Sequence, residues 1–216
     1  MYFLINIWVL IYFYNKYTFK LSNYINRNYL SFFHSFCTTL ILYFYHNELY
    51  ENRIDKKYLN YITHYLSVTY FIWDTLFILY YNIKNKNLKE ILYIYHHCVC
   101  LLALNQTIYN INKLEINKLF FYGEASNFFN YIVYHAIKYK YSQKYIILFK
   151  TLQIINFSYF RIFLFSEMIF STLYLIKNKF LALNLFIIYI LGLFWGIKQI
   201  KSFIISLKFQ NKITIK

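Results

Sequence analysis

The run F-L-A-L-N-L-F-I-I-Y-I-L-G-L-F-W-G-I, which extends from Phe180 to Ile197, is apolar along almost its whole length. It contains no charged residue, and Asn184 carries its one side-chain amide. A helix needs about 20 mostly apolar residues to cross the hydrocarbon core of a bilayer. Together with the residues that follow it, this run predicts a transmembrane helix over 180–204.

Six other stretches have a similar character, and short gaps rich in Lys, Asn and Glu separate them. These stretches cover 1–19, 29–46, 61–81, 91–111, 118–138 and 145–169. The sequence therefore predicts an all-α, polytopic membrane protein with about seven transmembrane helices.

The first stretch is the least regular, because its uninterrupted apolar run ends at Tyr14. Lys16 can extend its side chain to the membrane interface and so remain within a longer helix. A cleaved signal peptide is the alternative, but it requires a basic N-terminal region and a small-residue cleavage site. We find neither and expect an uncleaved helix.

The composition supports a membrane protein and argues against other classes. Hydrophobic residues make up 60% of the chain and charged residues 14%, whereas a soluble domain has about 25% charged residues. The net charge of +15 comes from basic residues scattered through short loops, which does not resemble a nucleic-acid-binding surface. Three cysteines in apolar runs favour neither a disulfide framework nor a zinc site.

The distribution of basic residues predicts the orientation. With the N-terminus outside the cytosol, the cytosolic loops and the C-terminal tail carry about twice as many Lys and Arg residues as the opposite side. Cytosolic loops of membrane proteins are enriched in these residues. We therefore expect a lumenal N-terminus and a cytosolic C-terminus.

Ionisable side chains interrupt the apolar stretches. A charged group costs about 2.5 kcal/mol or more at the centre of a bilayer, so it usually faces the interior of a bundle or a wet cavity. The candidates are His34, Asp74, His96, His97, Glu124, His135, Lys150, Arg161 and Glu167.

Five of these groups are predicted to share one layer. At 1.5 Å per helical residue, they lie about 5–10 Å below the cytosolic boundary. They are His34, Asp74, His96, His97 and His135. This convergence of four helices predicts a functional site.

A second layer is predicted nearer the opposite face. Glu124 and Arg161 lie there at similar depths and could form a buried ion pair, either within a site or as a structural clamp. On the fifth helix, Glu124, Tyr131 and His135 lie within about 20° of one line, and Asn127 flanks them. This polar face could line a cavity or form hydrogen bonds between helices.

The adjacent pair His96 and His97 is the most specific motif. Neighbouring residues on a helix point about 100° apart, so the two rings are poorly placed to chelate one metal ion, and we expect no metal site. A neutral imidazole in a cavity can act as a general base, and Asp74 at a similar depth could orient one ring. The alternative is that the rings satisfy neighbouring polar groups.

Five short motifs occur in order along the chain. They are R-N-Y-L-S-F-F-H (27–34), Y-F-I-W-D-T-L-F (70–77), Y-H-H-C-V-C-L-L (95–102), G-E-A-S-N-F-F-N (123–130) and Y-F-R-I (159–162). Together they resemble the TLC domain of ceramide synthases, the translocating-chain-associating membrane protein and the ceroid-lipofuscinosis endoplasmic reticulum protein. The resemblance covers most of the chain after residue 26.

This resemblance implies a six-helix TLC core over 27–206 around a lipid-binding cavity. It is preceded by an N-terminal helix and loop over 1–26 and followed by a basic tail over 207–216. Ceramide synthases join a fatty acyl group from acyl-CoA to a sphingoid amine and require paired histidines, which match His96 and His97. They also carry further acidic residues in the helix after that pair, where this chain has Glu124 alone. The chain is therefore more similar to short TLC-domain proteins linked to lipid homeostasis.

Two functions follow as expectations. One is an acyltransferase of the endoplasmic reticulum in lipid, and in particular sphingolipid, metabolism, with acyl-CoA as co-substrate and no bound cofactor. Its catalytic residues would be His96, His97 and Asp74, and its substrate-binding residues would be His34, Glu124, Asn127, Asn130, Tyr131, His135 and Arg161. The other is a non-catalytic lipid-binding or trafficking protein that uses the same cavity.

The partners expected in both cases are membrane lipids and the bilayer, and the sequence leaves homo- and hetero-oligomers open. Four lysines of the cytosolic loops could attract the phosphates of CoA, although they also fit the positive-inside pattern. They are Lys84, Lys86, Lys89 and Lys144. A transporter is disfavoured, because internal repeats and helices broken by Gly or Pro are absent from the sequence.

Overall fold

The computed structural model describes residues 2–47, 56–85, 90–109, 113–173, 175–176 and 178–214. All regular structure in these ranges is helical, which confirms the all-α prediction. The elements are α1 (Tyr2–Thr18), α2 (Asn23–His46), α3 (Lys56–Asn85), α4 (Ile91–Ile108), α5 (Lys113–Lys138), α6 (Gln143–Phe157), a π-helical segment (Ser158–Leu164), α7 (Phe165–Thr172) and α8 (Lys179–Thr214).

Because α6, the π segment and α7 follow one another without a break, the described elements form seven rods. Each of the seven predicted apolar stretches falls on one rod. The predicted tail does not begin at a helix end, since α8 continues through Thr214.

Four of the described helical stretches are long and apolar enough to cross a membrane. They are Lys57–Lys84, Ile91–Ile108, Gln143–Ser171 and Lys179–Lys208. This number is smaller than the seven predicted from the sequence. The helix α1 has 17 residues, and α2 and α5 contain buried polar side chains such as Asn26, His34 and Asn117.

The helix α1 packs as an integral part of the bundle. The Trp8 side chain is 2% exposed, and its Nε1 donates a hydrogen bond to Thr69 Oγ1 of α3 at 3.0 Å. The side-chain amide of Asn26 in α2 donates to the Tyr12 carbonyl oxygen at 2.6 Å. These contacts fix α1 against α2 and α3.

The other helices surround a polar interior. The helix α2 packs against α3 and α5, α4 packs against α3, α5 and α8, and α6 lies between α5 and α8. The first half of α2 therefore faces the beginning of α4 and the second half of α5. This arrangement brings polar side chains of six helices together at the end of the bundle that was predicted to face the cytosol.

Candidate functional site

A cavity of about 450 Å³ lies among α2, α3, α4, α5, α6, the π segment and α8. This volume lies within the range of small-molecule binding sites. The charged and imidazole side chains that line it are Arg27, Asp74, Glu90, His96, His97, Glu124, Arg161 and Lys198. Residues predicted in two separate layers, such as Asp74 and Glu124, thus line one continuous space.

An ion-pair network crosses the wide end of the cavity. Arg27 donates from Nε to Asp74 Oδ1 at 2.5 Å and from Nη2 to Asp74 Oδ2 at 2.9 Å. Its Nη1 also donates to Glu90 Oε2 at 2.9 Å. Arg27 was not predicted as a site residue, because it was counted among the charges of the loops. One signal was available: the chain has only three arginines among its 23 basic residues.

The His97 ring lies beside this network. Its Nε2 is 3.6 Å from Asp74 Oδ2, and its Nδ1 is 3.1 Å from Thr75 Oγ1. The structure thus brings Asp74 next to the histidine pair, as predicted. Both Asp74 oxygens accept hydrogen bonds from Arg27, however, and 3.6 Å is too long for a good hydrogen bond to His97.

His96 occupies the most open position of the pair. It is partly exposed, whereas His97 is buried, and it lines both the large cavity and a smaller apolar pocket beside it. Its Nε2 is 3.7 Å from Cys100 Sγ, one turn along α4. The edge of the ring meets Trp195 of α8, with the ring centroids 6.1 Å apart. A group bound in the cavity could therefore reach this imidazole.

The smaller pocket has a volume of about 40 Å³ and a mainly aliphatic and aromatic lining. The two spaces meet at a junction, and the side chains that line both are His96, Glu124, Asn127 and Arg161. A polar cavity that continues into an apolar pocket suits a molecule with a polar head and an alkyl chain.

The polar face of α5 lines the cavity through Asn127, Asn130 and Tyr131. Asn130 Oδ1 accepts hydrogen bonds from Gln153 of α6 at 2.9 Å and from Gln199 of α8 at 3.1 Å. Both alternatives for this face therefore hold, because the same residues line the cavity and join helices.

Two predicted site residues do not line the cavity. His34 is fully buried, forms polar contacts with Ser67 and Thr38, and is separated from the cavity by Tyr70. The His34 and Tyr70 rings are stacked, with centroids 4.0 Å apart. His135 Nε2 lies 3.0 Å from Asn28 Nδ2, so Asn28 stands between it and the cavity.

The predicted ion pair between Glu124 and Arg161 does not form. The nearest ionisable partner of the Glu124 carboxylate is His34, whose Nδ1 is 3.8 Å from Oε2. Arg161 lies on the π segment and reaches the junction from the other side, between α5 and α8. The two residues line the same space, but similar depth did not bring their charges within ion-pair distance.

Several other candidate residues lie outside the cavity. Lys150 donates hydrogen bonds to Ser202 Oγ at 2.8 Å and to Ser206 Oγ at 2.7 Å, which joins α6 to α8. Glu167, Lys84 and Lys144 are exposed. Lys86 and Lys89 lie outside the described residues, and Lys198 is the lysine that the structure places at the cavity.

Metal ligands are not clustered in the part of the chain that the structure describes, where no three His, Cys, Asp or Glu side chains could hold an ion together. The three cysteines are free thiols. The described lining of the cavity presents imidazole, carboxylate, amide, phenol, ammonium and guanidinium groups.

Fold and cavity together define an all-helical bundle with an internal polar cavity. Comparison with known proteins gives no match to a protein-family model, to a curated protein or to a solved structure.

Proposed function

We propose that this chain is a multi-pass membrane protein of TLC-domain type that binds a membrane lipid in the large cavity. It acts in lipid metabolism by transferring an acyl group from acyl-CoA to an amine or hydroxyl of that lipid. The observation that carries the proposal is the position of His96 at the junction of a polar cavity and an apolar pocket.

The proposed topology has seven membrane spans. Four helical stretches have the length and hydropathy of spans by themselves. The other rods, α1, α2 and α5, pack against them and turn polar side chains such as Asn26, His34 and Glu124 inward, which is how membrane helices accommodate polar residues. The N-terminus is lumenal, the C-terminus is cytosolic, and the proposed location is the endoplasmic reticulum.

The proposed reaction uses His96 as general base. Its imidazole takes the proton from the N–H or O–H group of the acceptor lipid while that nitrogen or oxygen attacks the thioester carbonyl. The C–S bond then breaks, and the CoA thiolate leaves and receives the proton from the imidazolium. The Asn127 amide at the junction is placed to donate to the oxyanion that forms in between. His97, which lies beside Asp74, is the second imidazole that could take this proton.

The cavity shape fits the two substrates. The first carbons of the acyl chain would lie against the apolar pocket beyond the junction, which is lined by residues such as Leu119 and Ile188 and has room for a short segment only. The CoA portion would remain in the large cavity, where Lys198 supplies positive charge for its phosphates.

A second function, lipid binding without catalysis, is favoured by one contact. Asp74 is engaged through both oxygens by Arg27, so it does not orient His97 in the manner of a catalytic dyad. In that case the cavity would hold a lipid for trafficking or for control of membrane composition.

Purified protein supplied with labelled acyl-CoA, sphingoid acceptors and glycerolipid acceptors separates the two functions. We expect product from the wild type and loss of at least 100-fold in His96→Ala, because general base catalysis contributes about that much or more. His64→Gln is the matched control, since His64 contacts the Leu104 carbonyl oxygen away from the cavity.

Turnover that survives the double substitution His96→Ala/His97→Ala would contradict the catalytic assignment. Absence of product with every acceptor, together with a lipid that co-purifies with wild type and is lost in Asp74→Asn, would establish the lipid-binding function instead.

A further inference from the structure

The guanidinium of Arg161 lies at the junction of the two spaces without a counter-ion. The residue is 5% exposed, and its Nε is buried without a hydrogen-bond partner. Within the described part of the chain, no carboxylate lies within ion-pair distance of it. A buried charge is costly unless it is paired and hydrogen-bonded. The described part of the chain does not supply a paired anion for this cation, so a bound ligand would have to supply it.

The backbone around Arg161 is shaped to admit this side chain. A Cβ atom on Gly123 of α5 would lie 2.9 Å from Arg161 Nη1, and one on Gly192 of α8 would lie 3.0 Å from Nε and 3.3 Å from Cγ. A side chain at Gly123 would displace the end of the arginine, and one at Gly192 would push its Nε and Cγ by a few tenths of an ångström, so glycine at both positions leaves room for the guanidinium. Two helices thus form a slot around one guanidinium, which we call the glycine slot (Gly123 and Gly192).

The glycines of the whole chain reinforce this point. The sequence has only three glycines. The third, Gly196 of α8, packs against Phe157 and Ile162, which belong to the rod that carries Arg161. Arg161 itself lies on a seven-residue π-helical segment, and π-helical turns occur frequently at functional sites. The scarce glycines are thus placed where they let α5 and α8 approach the π segment and its arginine.

The contacts of the guanidinium leave its terminal nitrogens available to a ligand. Its central carbon lies 4.7 Å from the centroid of the Phe165 ring, and this ring also lines the apolar pocket. The terminal nitrogens of an arginine form paired hydrogen bonds that match the two oxygens of a carboxylate or phosphate. An anionic group at the junction would therefore be bound beside the entrance to the apolar pocket.

We propose that Arg161 is the receptor for an oxyanion, a carboxylate or a phosphate, on an amphiphile that is bound in the large cavity and against the apolar pocket. This inference rests on the proposed function, in that it requires a lipid in the cavity. It extends that function by assigning a negatively charged group to the bound lipid and a specific side chain to that group.

Binding of chain-matched probes tests the proposal. The protein is reconstituted in phosphatidylcholine nanodiscs and titrated with radiolabelled dodecyl phosphate, dodecanoic acid, dodecanol or inorganic phosphate, with empty nanodiscs as background. We expect wild type to bind at least one of the two anionic amphiphiles at least tenfold more tightly than dodecanol or inorganic phosphate. The anionic amphiphile that binds more tightly identifies the group as phosphate or carboxylate.

Variants then assign the effect to Arg161. Arg161→Gln should remove the tenfold preference for the anionic probe, and Arg161→Lys should retain part of it. Lys201→Gln removes an exposed positive charge of α8 outside the cavity lining and should leave the preference unchanged. Gly192→Ala, which crowds the guanidinium, should weaken anion binding, whereas Gly196→Ala, which meets Phe157 and Ile162, should not.

The outcomes distinguish this proposal from the function on which it rests. Equal binding of dodecanol and both anionic probes by wild type would overturn the role of Arg161 and leave a lipid cavity in place, and this comparison needs no variant to fold. Inorganic phosphate binding as tightly as dodecyl phosphate would overturn the assignment to an amphiphile. Binding of no probe at all would overturn the proposed function as well.

Discussion

At the scale of single residues, Asp74 is the most constrained acidic group of the cavity. It is 2% exposed and accepts two hydrogen bonds from Arg27, which also binds Glu90. Removing one member of a buried pair leaves the other charge uncompensated, which costs about 3–5 kcal/mol. This side chain therefore holds α2 to α3 at the wide end of the cavity in addition to any role beside His97.

We expect Asp74→Asn to lower the free energy of unfolding by about 3 kcal/mol, because Arg27 then keeps Glu90 as its one charged partner. Thermal or denaturant unfolding of the detergent-solubilised protein measures this change. Glu90→Gln is the matched control and should cost about 1 kcal/mol or less, since Glu90 is more exposed. Equal losses in the two variants would contradict the assigned importance of the pair between Arg27 and Asp74.

At the scale of the elements, α1 shows how a helix of marginal length becomes part of the bundle. Its 17 residues fall short of a typical span, but Trp8 is buried and hydrogen-bonded to Thr69 of α3. The Trp8 ring also lies edge-on to Tyr70, with centroids 5.4 Å apart. Packing against α3 thus holds this short helix in the bundle, and α1 in turn supports the helix that carries Asp74.

Replacing the Trp8 side chain tests this packing. We expect Trp8→Ala to destabilise the protein by about 3–5 kcal/mol, as do other substitutions of buried aromatic residues by alanine. Leu10→Ala, on the exposed face of the same helix at 66% exposure, should change stability by less than about 0.5 kcal/mol. A wild-type melting temperature in Trp8→Ala would show that α1 is only loosely associated with the bundle.

At the scale of the whole molecule, hydropathy located the seven described rods, because an apolar stretch falls on each of them, although helices such as α2, α3 and α8 extend beyond their stretches. Depth along these helices also located much of the cavity, including Asp74, His96 and His97. Depth does not reveal which neighbouring side chain covers a group. His34 and His135 were therefore predicted to line the cavity, whereas the structure places His34 behind Tyr70 and His135 behind Asn28.

The charges that were misjudged have a common physical cause. Arg27 was counted as a loop residue because it precedes the predicted second span. In the structure, α2 begins at Asn23, four residues before Arg27, so Arg27 lies within the helix. Glu124 and Arg161 were paired because their depths agree, but Arg161 enters between Gly123 and Gly192, whereas Glu124 lies beside His34. Partners are decided by the angular positions of helices around the bundle, which follow from packing and not from periodicity.

The orientation of the seven rods leads to the last prediction. The seven spans proposed above would place the termini on opposite sides of the membrane, and the excess of basic residues in one set of loops predicts a cytosolic C-terminus. In sealed microsomes, a C-terminal epitope tag should be removed by added protease, and an N-terminal tag should be protected until detergent is added. A tag inserted after Lys140, in the connection between α5 and α6, serves as internal control and should be cleaved. Cleavage of both terminal tags without detergent would show that α1 packs against the bundle without crossing the bilayer.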